Sequence, residues 1–337
     1  WNFCNELSYR SIKERGHWMT GFDFSPYTVG ASKEFDYIGS STIQETSELF
    51  VLKRRAAKKA KLRWRKSFGE RRSLGWIPFK ARSTKYKFGQ IFFAGHSFKV
   101  WDSYGLKPDV KFRAGCFAED SRGRWYFCAA ITVSQESCSR TKAIGVDLGL
   151  KSAAVCSDGR RLEGRQYKVL QKSLGVAQRA NKKQRVRSIH AKIRNRRMDE
   201  QHKFSRKLVN DHGAIYIGDV STQFLVKTNA KSANDVSLSA LKNMIQYKSQ
   251  QAGVVCEVVS EKYTTQTCSS CGAIPDSRPN GIAGLGIRHW ECECGALHDR
   301  DVNAAINILN VGVGHDPLDA GIHVVTARKV PNLSPTI

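Results

Sequence analysis

One stretch of the chain, residues 214–261, restricts the possible folds more than any other. It opens on the apolar segment AIYIGDV at 214–220 and closes on a second one, GVVCEVVSE, at 253–261. Between them, apolar side chains recur at helical spacing over 237–252, and a glycine follows as the helix stop. A strand, a helix and a strand in this order predict a right-handed crossover between parallel strands. The carboxyl ends of both strands should therefore meet at one edge of a sheet, where α/β active sites gather.

Two aspartates stand at positions where a carboxylate is informative. From Ala143 the sequence predicts three short strands joined by tight turns, with an Asp-Gly turn at 158–159. Asp147 lies within the first of them between apolar neighbours, where a carboxylate is costly unless it is paired or binds a cation. Asp301 opens a last helix, predicted over 301–310, where an aspartate is more often a cap. Together the two predict carboxylates that converge on Mg²⁺.

Four of the ten cysteines are close together and have the spacing of metal ligands. Thiolates bind Zn²⁺ tetrahedrally, and Gly272 and Gly295 follow the two pairs at the tight turns that such sites need. The second pair has one intervening residue rather than two, which strains that turn slightly. Because four thiolates leave no open position, we predict a structural zinc site. Its ligands are Cys268, Cys271, Cys292 and Cys294.

The charge of the chain favours a polyanionic partner. It carries 55 Lys and Arg against 30 Asp and Glu, a net charge of +25. Nucleic acid is the simplest partner for such an excess. Much of the charge lies in a predicted helical stretch over 165–211, which a polyphosphate backbone would stabilise. We predict nucleic-acid contacts from ten of its cations: Arg179, Lys182, Lys183, Arg185, Arg187, Arg194, Arg196, Arg197, Lys203 and Arg206.

Composition divides the rest of the chain into recognisable parts. A helix is predicted from Ser41, which forms a capping pair with Gln44, and its cationic face, which includes Arg54, is predicted to contact phosphate. A later region is rich in aromatic and β-branched residues interrupted by glycines, which predicts a small β-barrel. The predicted divisions are a helical lobe at 1–66, the barrel at 67–140, an α/β domain at 141–310 with the cysteine segment inserted at about 262–298, and a loose tail at 311–337.

Sequence features also predict the cellular setting. No apolar run reaches the roughly 18 residues that a membrane helix needs, so no membrane association is expected. The six scattered cysteines are interpreted as reduced thiols. Both features favour a cytoplasmic, nucleoid-associated protein. The first residue is Trp rather than Met, and the true start of the protein is therefore expected upstream of it.

Four segments, in this order along the chain, resemble the TnpB (OrfB) family. They are IGVDLGLK, the basic stretch ending IRNRRMDEQHKFSRKL, YTTQTCSSCG and HDRDVNAAINI. The last two are specific, whereas the Asp-Leu-Gly of the first would not be so alone. The resemblance runs over about residues 1–310. TnpB proteins are transposon-encoded, RNA-guided DNA endonucleases related to the type V CRISPR effectors.

The resemblance implies a fold and a set of partners. The fold would be an RNase H-like (RuvC) nuclease domain with an inserted zinc ribbon, preceded by a wedge β-barrel that carries a helical recognition insert. The family's first wedge strand is expected before Trp1. The partners would be a guide RNA from the transposon end and a target double-stranded DNA beside a short transposon-associated motif, bound by a monomer. Base pairing would supply most of the sequence specificity. Asp147 matches the family's first catalytic Asp, and Asp301 matches its last.

The family's middle carboxylate is a Glu at the position of Gly218, which leaves three interpretations. Asp219 could replace it, although successive strand residues point to opposite faces. Glu261 could reach the same site from the end of the neighbouring strand, because the missing side chain at Gly218 leaves room for it. Glu257 lies about 13 Å further back along that strand and reaches less well. In the third interpretation the site is inactive. We predict that Asp147, Glu261 and Asp301 bind Mg²⁺.

The predicted function is Mg²⁺-dependent, RNA-guided cleavage of DNA. The alternative is a nuclease-inactive, RNA-guided DNA-binding protein that acts as a transcriptional repressor would. An actin-like ATPase also opens on Asp-Leu-Gly and a hairpin, but the chain shows no Gly-rich second phosphate loop. A further alternative is a DNA-binding accessory protein of transposition. Co-purified RNA of defined sequence would argue against it. Arg300, beside Asp301, is expected to contact either a phosphate or a carboxylate.

Overall fold

The computed structural model describes most of the chain and divides it into two compact units. The units are Trp1–Val133 and Ser134–Ile337. The predicted tail lies outside the described residues from position 315 onward, and the divisions predicted from composition stay predictions. The described residues are 1–35, 38–69, 71–102, 105–106, 110–220, 230, 232–280 and 283–314.

Helices and an aromatic core form the first part of the first unit. Phe24 and Phe50 are fully buried and pack at 6.0 Å between ring centroids. The predicted cap at Ser41 is wrong, because the helix begins one residue earlier behind Gly39, without a side-chain cap. The helices are α1 (Asn2–Arg15), α2 (Ser25–Thr28), α3 (Ala31–Glu34) and α4 (Ser40–Ala57), with a 3₁₀ turn at Phe22–Phe24.

Arg54 of α4 corrects the prediction of a phosphate-binding face. Its side chain is fully buried instead of facing solvent. The guanidinium donates to Ser8 Oγ and, at 2.6 Å, to the Met19 carbonyl, and it stacks 5.2 Å from the Trp18 ring centroid. Burial lowers the pKa of Arg54 below its usual value. The residue therefore ties α4 to α1 and the following loop, and it is not available to a nucleic acid.

Two antiparallel sheets complete the first unit. Phe79, Ile91 and Phe117 belong to strands of both sheets and share one buried cluster. Among the described residues the strands pair as two three-stranded sheets, so a closed barrel stays a prediction. One sheet has the order β1–β5–β6 and the other β2–β3–β4. The strands are β1 (Trp76–Phe79), β2 (Thr84–Lys87), β3 (Gln90–Phe93), β4 (His96–Lys99), β5 (Phe112–Glu119) and β6 (Trp125–Ile131).

A five-stranded mixed sheet is the centre of the second unit. Its order is β11–β10–β7–β8–β9, in which β7, β10 and β11 are parallel and β8 and β9 are antiparallel additions. The predicted parallel pairing is confirmed, and Gly218 lies opposite Val259 in the register. The strands are β7 (Ala143–Asp147), β8 (Ala154–Cys156), β9 (Arg161–Leu162), β10 (Ala214–Gly218) and β11 (Val255–Val259).

Helices cover both faces of this sheet. Apolar side chains of α6 and α7 share a core with strand residues such as Ile215 and Ile217, and Ile308 of α8 packs with Tyr216 on the other face. The basic stretch predicted at 165–211 is two helices rather than one, separated by a break in which Asn181 has a φ of 50°. The helices are α5 (Gln166–Arg179), α6 (Lys183–Asp211), α7 (Leu238–Gln251) and α8 (Arg300–Val313).

Two glycines let α8 lie directly on the sheet. A Cβ atom at Gly145 of β7 would overlap the Ala305 carbonyl oxygen, and one at Gly312 would overlap the Tyr216 ring. The helix backbone therefore approaches the strands more closely than any side chain at these positions would allow. This contact brings the first turn of α8 toward the end of β7.

A short hairpin precedes α8. It pairs β12 (His289–Glu291) with β13 (Leu297–Asp299), and a 3₁₀ turn at Ala283–Gly286 comes before it. No helix in the described part of the chain is long and apolar enough to cross a bilayer.

Candidate active site and zinc site

Four cysteine sulfurs converge beside the β12–β13 hairpin. The Sγ atoms of Cys268, Cys271, Cys292 and Cys294 all lie within 4.8 Å of one another. Cys268 and Cys294 are 3.8 Å apart, and Cys271 and Cys292 are 3.7 Å apart. Sulfurs at about 2.3 Å from one ion and at tetrahedral angles lie about 3.8 Å from each other. The cluster is therefore consistent with a structural zinc ion.

Both cysteine pairs are held in tight turns. Gly272 and Gly295 have φ angles of 77° and 85°, which L side chains rarely adopt. Their amides donate to the carbonyls of Cys268 at 2.9 Å and Cys292 at 2.8 Å. The short spacing of the second pair is accommodated by the hairpin turn, where the Cys292 amide bonds the Ala296 carbonyl at 2.9 Å.

His298 belongs to the surroundings of the zinc site, although the sequence analysis did not single it out. Its Nε2 lies 3.0 Å from Cys268 Sγ, and its ring centroid lies 4.6 Å from that of Trp290. An imidazole N–H in this position can donate to a thiolate and orient it for metal binding. The position was not recognisable from sequence, because the His lies outside the spacing of the cysteine pairs.

Asp147 is the last residue of β7 and is partly buried. The pKa of Asp147 is raised to about 7, mainly by burial and then by the negative charges of Glu261 and Asp301, whereas Arg300 lowers it. Both acids therefore lie close enough to Asp147 to act on its carboxyl electrostatically. A cluster of this kind is stabilised by a bound cation.

The carboxylate of Glu261 lies where a side chain at Gly218 would be. A Cβ atom at Gly218 would be 2.6 Å from Glu261 Oε2 and 3.1 Å from Ile308 Cδ1. Glu261 follows β11 by two residues, and its side chain leans over the end of β10 instead of extending into solvent. Burial raises the pKa of Glu261 to about 7, with a further contribution from the charge of Asp219, while Lys242 lowers it.

Asp219 has a different role in the structure. It is exposed, as expected for the residue after Gly218. Its Oδ1 accepts a hydrogen bond from the Glu261 backbone N–H at 3.1 Å. Asp219 therefore fixes the start of the turn that carries Glu261.

Asp301 lies in the first turn of α8, and its neighbour Asp299 caps the helix. Asp299 Oδ1 accepts from the amides of Asp301 at 3.1 Å and Val302 at 3.0 Å. The Asp301 carboxylate is thus free of the capping role that such a position usually has. Arg288 Nη1 lies 3.0 and 3.1 Å from its two oxygens, and Arg161 Nη1 lies 3.8 Å from Oδ2. A cation at Asp301 would share this carboxylate with the two arginines.

Arg161 and Arg300 complete the charged surroundings. Arg161 also pairs with the capping residue Asp299 at 2.8 Å. Arg300 Nη1 donates to the Gly284 carbonyl at 3.3 Å. Among the described residues, the thiolate group is the one set whose ligand atoms all fall within 4.8 Å of each other, so the three carboxylates lie farther apart than the cysteines.

The cations predicted to bind nucleic acid lie along α5, α6 and the break between them. Arg197 differs from the rest: its pKa is lowered by burial, and its guanidinium donates to the carbonyls of Asn234 at 2.9 Å and Asp235 at 3.1 Å. Lys203 pairs with Asp199 at 2.8 Å on the surface. The exposed members are Arg179, Lys182, Lys183, Arg185, Arg187, Arg194, Arg196, Lys203 and Arg206.

Known proteins resemble both halves of the second unit. A family model described as "Probable transposase", of the OrfB/IS605 type, matches residues 126–229, and one described as "Cas12f1-like, TNB domain" matches 239–308. A Streptomyces pristinaespiralis protein named as a candidate RNA-guided DNA endonuclease is 31% identical over 61% of this chain and 54% of its own. TnpB-like protein L79 of Acanthamoeba polyphaga mimivirus is 37% identical over 38% of this chain and 25% of its own. The chain is therefore similar to the TnpB (OrfB) proteins.

These matches confirm the resemblance to TnpB proteins seen in the sequence. The chain spans about half the length of the Streptomyces relative and a quarter of the viral one. A solved Cas12f1–sgRNA–target DNA complex aligns with 92% of this chain and 90% of its own at 16% identity and a TM-score of 0.40. That similarity is too low to carry an argument about the fold.

Proposed function

We propose that this TnpB-like protein is an RNA-guided DNA endonuclease in which Asp147, Glu261 and Asp301 hold catalytic Mg²⁺. The activity is that of an IS605-type transposon protein, and the substrate is DNA matched to a guide RNA and flanked by a short transposon-associated motif. The observation that carries the proposal is the position of the Glu261 carboxylate in the space left by Gly218.

The sheet of the second unit supports an RNase H-like nuclease fold. Three antiparallel strands in sequence order, β7, β8 and β9, are extended by the parallel strands β10 and β11 on the other side of β7. Asp147 ends the central strand of this sheet, and α8 brings Asp301 to the same edge. A metal-dependent nuclease would use carboxylates at such an edge to bind its cations.

Each acid would have a defined part in the reaction. Bound Mg²⁺ supplies alignment of the attacking water and stabilisation of the leaving oxygen of the phosphodiester. Asp147 is affected by the charges of both Glu261 and Asp301, so it would hold the cation together with them. Glu261 would supply the carboxylate that the family places at Gly218.

The basic helices support guide RNA and target DNA as partners. The cations exposed along α5 and α6 form a long, nearly single-signed surface, for which a polyphosphate backbone is the natural partner. A groove beside α5 is lined by Lys168, Lys172 and Arg179. If an RNA–DNA heteroduplex binds along this surface, base pairing rather than protein contacts would recognise the DNA sequence.

Replacement of Glu261 is the first test. We expect Glu261→Ala to lower the rate of guide-matched cleavage at least 100-fold in Mg²⁺, because a metal ligand is lost. Glu257→Ala is the matched control, since Glu257 is an exposed carboxylate four residues upstream. Full cleavage by Glu261→Ala would contradict the assignment.

Moving the carboxylate back to β10 is the sharper test. Gly218→Glu alone should impair cleavage, because its Cβ would crowd the Glu261 carboxylate at 2.6 Å. Gly218→Glu combined with Glu261→Ala should recover a large part of the activity, since one carboxylate then occupies the same space. If the double variant is as inactive as Glu261→Ala, the two positions do not supply one ligand.

A nuclease-inactive, RNA-guided DNA-binding protein is the second candidate. The ion pair between Arg288 and Asp301 favours it, because the arginine neutralises a carboxylate that the metal would need. Guided binding to matched DNA without cleavage by the unaltered protein, over a range of Mg²⁺ and Mn²⁺ concentrations, would decide for this candidate.

A further inference from the structure

Two buried asparagines on α8 hold the segment that carries Glu261. Asn303 and Asn307 are 1% and 4% exposed and lie one helical turn apart on the same face. Asn307 Nδ2 donates to the carbonyls of Thr264 at 2.8 Å and Thr267 at 2.7 Å. Asn303 Nδ2 reaches the same two carbonyls at 3.2 and 2.8 Å. Two amides thus converge on one short piece of backbone.

That backbone is directly linked to Glu261. Both the amide and the hydroxyl of Thr264 donate to the Glu261 carbonyl, at 3.2 and 2.9 Å. These hydrogen bonds close the turn from Glu261 to Thr264, and the asparagines fix its far end. Thr264 is buried. The near end is fixed by Asp219, as described above.

One of the two asparagines, Asn303, also contacts the first cysteine pair. Asn303 Oδ1 accepts from the Ser269 amide at 2.8 Å, and Ser269 lies between Cys268 and Cys271. Asn303 therefore uses both ends of its amide: the nitrogen for the turn after Glu261 and the oxygen for the first cysteine pair. Asp301 lies two residues before Asn303 on the same helix.

We infer that Asn303 and Asn307 are positioning residues that set the placement of Glu261 relative to Asp301 and join the carboxylate site to the zinc site. The inference rests on the proposed function, which makes these two acids ligands of one metal centre. Neither asparagine touches the reacting atoms. They act through the carbonyls of Thr264 and Thr267, whose only described side-chain donors they are.

A metal-binding measurement tests the positioning role. In full-length protein loaded with zinc, Mn²⁺ binding is followed by electron paramagnetic resonance for wild type, Asn307→Ala and Asn303→Ala/Asn307→Ala. We expect at least 10-fold weaker Mn²⁺ binding in the double variant at an unchanged zinc content. Asn310→Ala, on the same helix and half-buried, is the matched control and should bind as wild type does.

Amide hydrogen exchange tests the contact itself, independently of metal and activity. Exchange over 261–269 should become faster in the asparagine variants and stay unchanged in Asn310→Ala. Unchanged exchange would overturn the inference, and so would faster exchange with wild-type Mn²⁺ affinity, since the contact would then hold the segment without placing a ligand.

These measurements, together with a cleavage assay of the wild type, separate the inference from the proposed function. If wild type binds no Mn²⁺ and cleaves no matched DNA, the proposed function fails, and with it the claim that a metal ligand is being placed. Asn307→Gln, which keeps a donor on a longer side chain, should restore part of the protection of 261–269 and part of the Mn²⁺ affinity. No rescue in either measurement would count against donation to the two carbonyls.

Discussion

The zinc site and the carboxylate site differ in how far apart their ligands lie along the chain. The four cysteines come from two short turns within one inserted segment, and their sulfurs already have the spacing of a tetrahedral site. The three acids come from the end of β7, the segment after β11 and the start of α8. Their mutual distances depend on sheet register and on how α8 packs.

This difference means that local spacing constrains the positions of the cysteines more tightly than those of the acids. A cysteine turn has to keep its spacing, because the turn geometry itself places the sulfurs. A carboxylate at a sheet edge can instead be supplied by either of two neighbouring parallel strands. The structure has Glu261 in the space beside Gly218, which is the arrangement that such an exchange requires.

The largest expected effect is loss of the zinc site. Cys271→Ser removes one of four thiolates, and structural zinc sites contribute of the order of 10 kcal/mol to the folding of their domains. We expect loss of bound zinc, disorder of the inserted segment and loss of Mn²⁺ binding, because Asn303 joins the two sites. Metal analysis and Mn²⁺ titration measure both. Cys128→Ser, at an exposed cysteine outside the cluster, is the control. Wild-type Mn²⁺ affinity in a zinc-free variant would show that the two sites are independent.

A packing change should break the carboxylate site alone. Gly145→Ala would force its Cβ against the Ala305 carbonyl, so α8 has to move away from β7. Overpacking of this kind costs about 1–3 kcal/mol. We expect a lower Tm and weaker Mn²⁺ binding at one zinc per chain, measured by calorimetry and titration. Gly286→Ala, at an exposed position where a Cβ meets no atom within 4 Å and φ is not left-handed, is a control for the loss of a glycine. Loss of zinc in Gly145→Ala would show that the zinc site also depends on how closely α8 packs on β7.

Removal of the histidine beside the cysteines should weaken zinc binding moderately. Loss of a group that orients a metal ligand typically costs 10–100-fold in affinity. We expect His298→Ala to fall in that range in competition with a chelator, because its Nε2 no longer reaches Cys268 Sγ. His190→Ala, an exposed histidine on α6, is the control. Wild-type zinc affinity in His298→Ala would limit the role of the histidine to packing on Trp290.

The two sites should respond oppositely to pH, and this effect is the smallest. The pKa values of Asp147 and Glu261 are raised to about 7 from their usual 3.8 and 4.5. At pH values between the usual and the raised pKa, the folded protein binds more protons than the unfolded chain does. The contribution of these two carboxyls to the free energy of unfolding is therefore lost as pH rises through 7. Zinc binding has the opposite dependence, because acid protonates thiolates.

The measurement is Tm against pH from 5 to 8 without Mg²⁺ and with zinc retained. The wild-type Tm should fall by a few degrees relative to Asp147→Asn/Glu261→Gln as pH rises, and added Mg²⁺ should reverse the fall. If Tm changes equally with pH in the wild type and in the double variant, these carboxyls have ordinary pKa values in the folded state.

Local patterns in the sequence predict a large part of this structure. The cysteine spacing, the parallel strand pair and the final helix follow from short-range rules on turns and periodicity. Glu261 was predicted from the strand order together with the resemblance to TnpB, which implied a Glu at the position of Gly218. The choice of Glu261 as a metal ligand stays a prediction until the variants above are measured.

The contacts that sequence analysis missed all depend on tertiary placement. Arg288 and Arg161 meet Asp301 only because the hairpin and β9 lie beside α8. The burial of Arg54 contradicts the helical charge pattern, since the loop at Met19 folds over the basic side of α4. A recognisable signal existed for Asn303 and Asn307, because amides at helical spacing on the apolar side of a helix have to find buried partners.

The glycine at 218 also limits how many carboxylates this space can hold. Two glutamates cannot occupy the present space together, because the Cβ of one would lie 2.6 Å from the carboxylate of the other. A chain with both residues would have to keep one side chain turned away from this space. The capacity of the pocket is therefore a single acid, whichever of the two strands provides it.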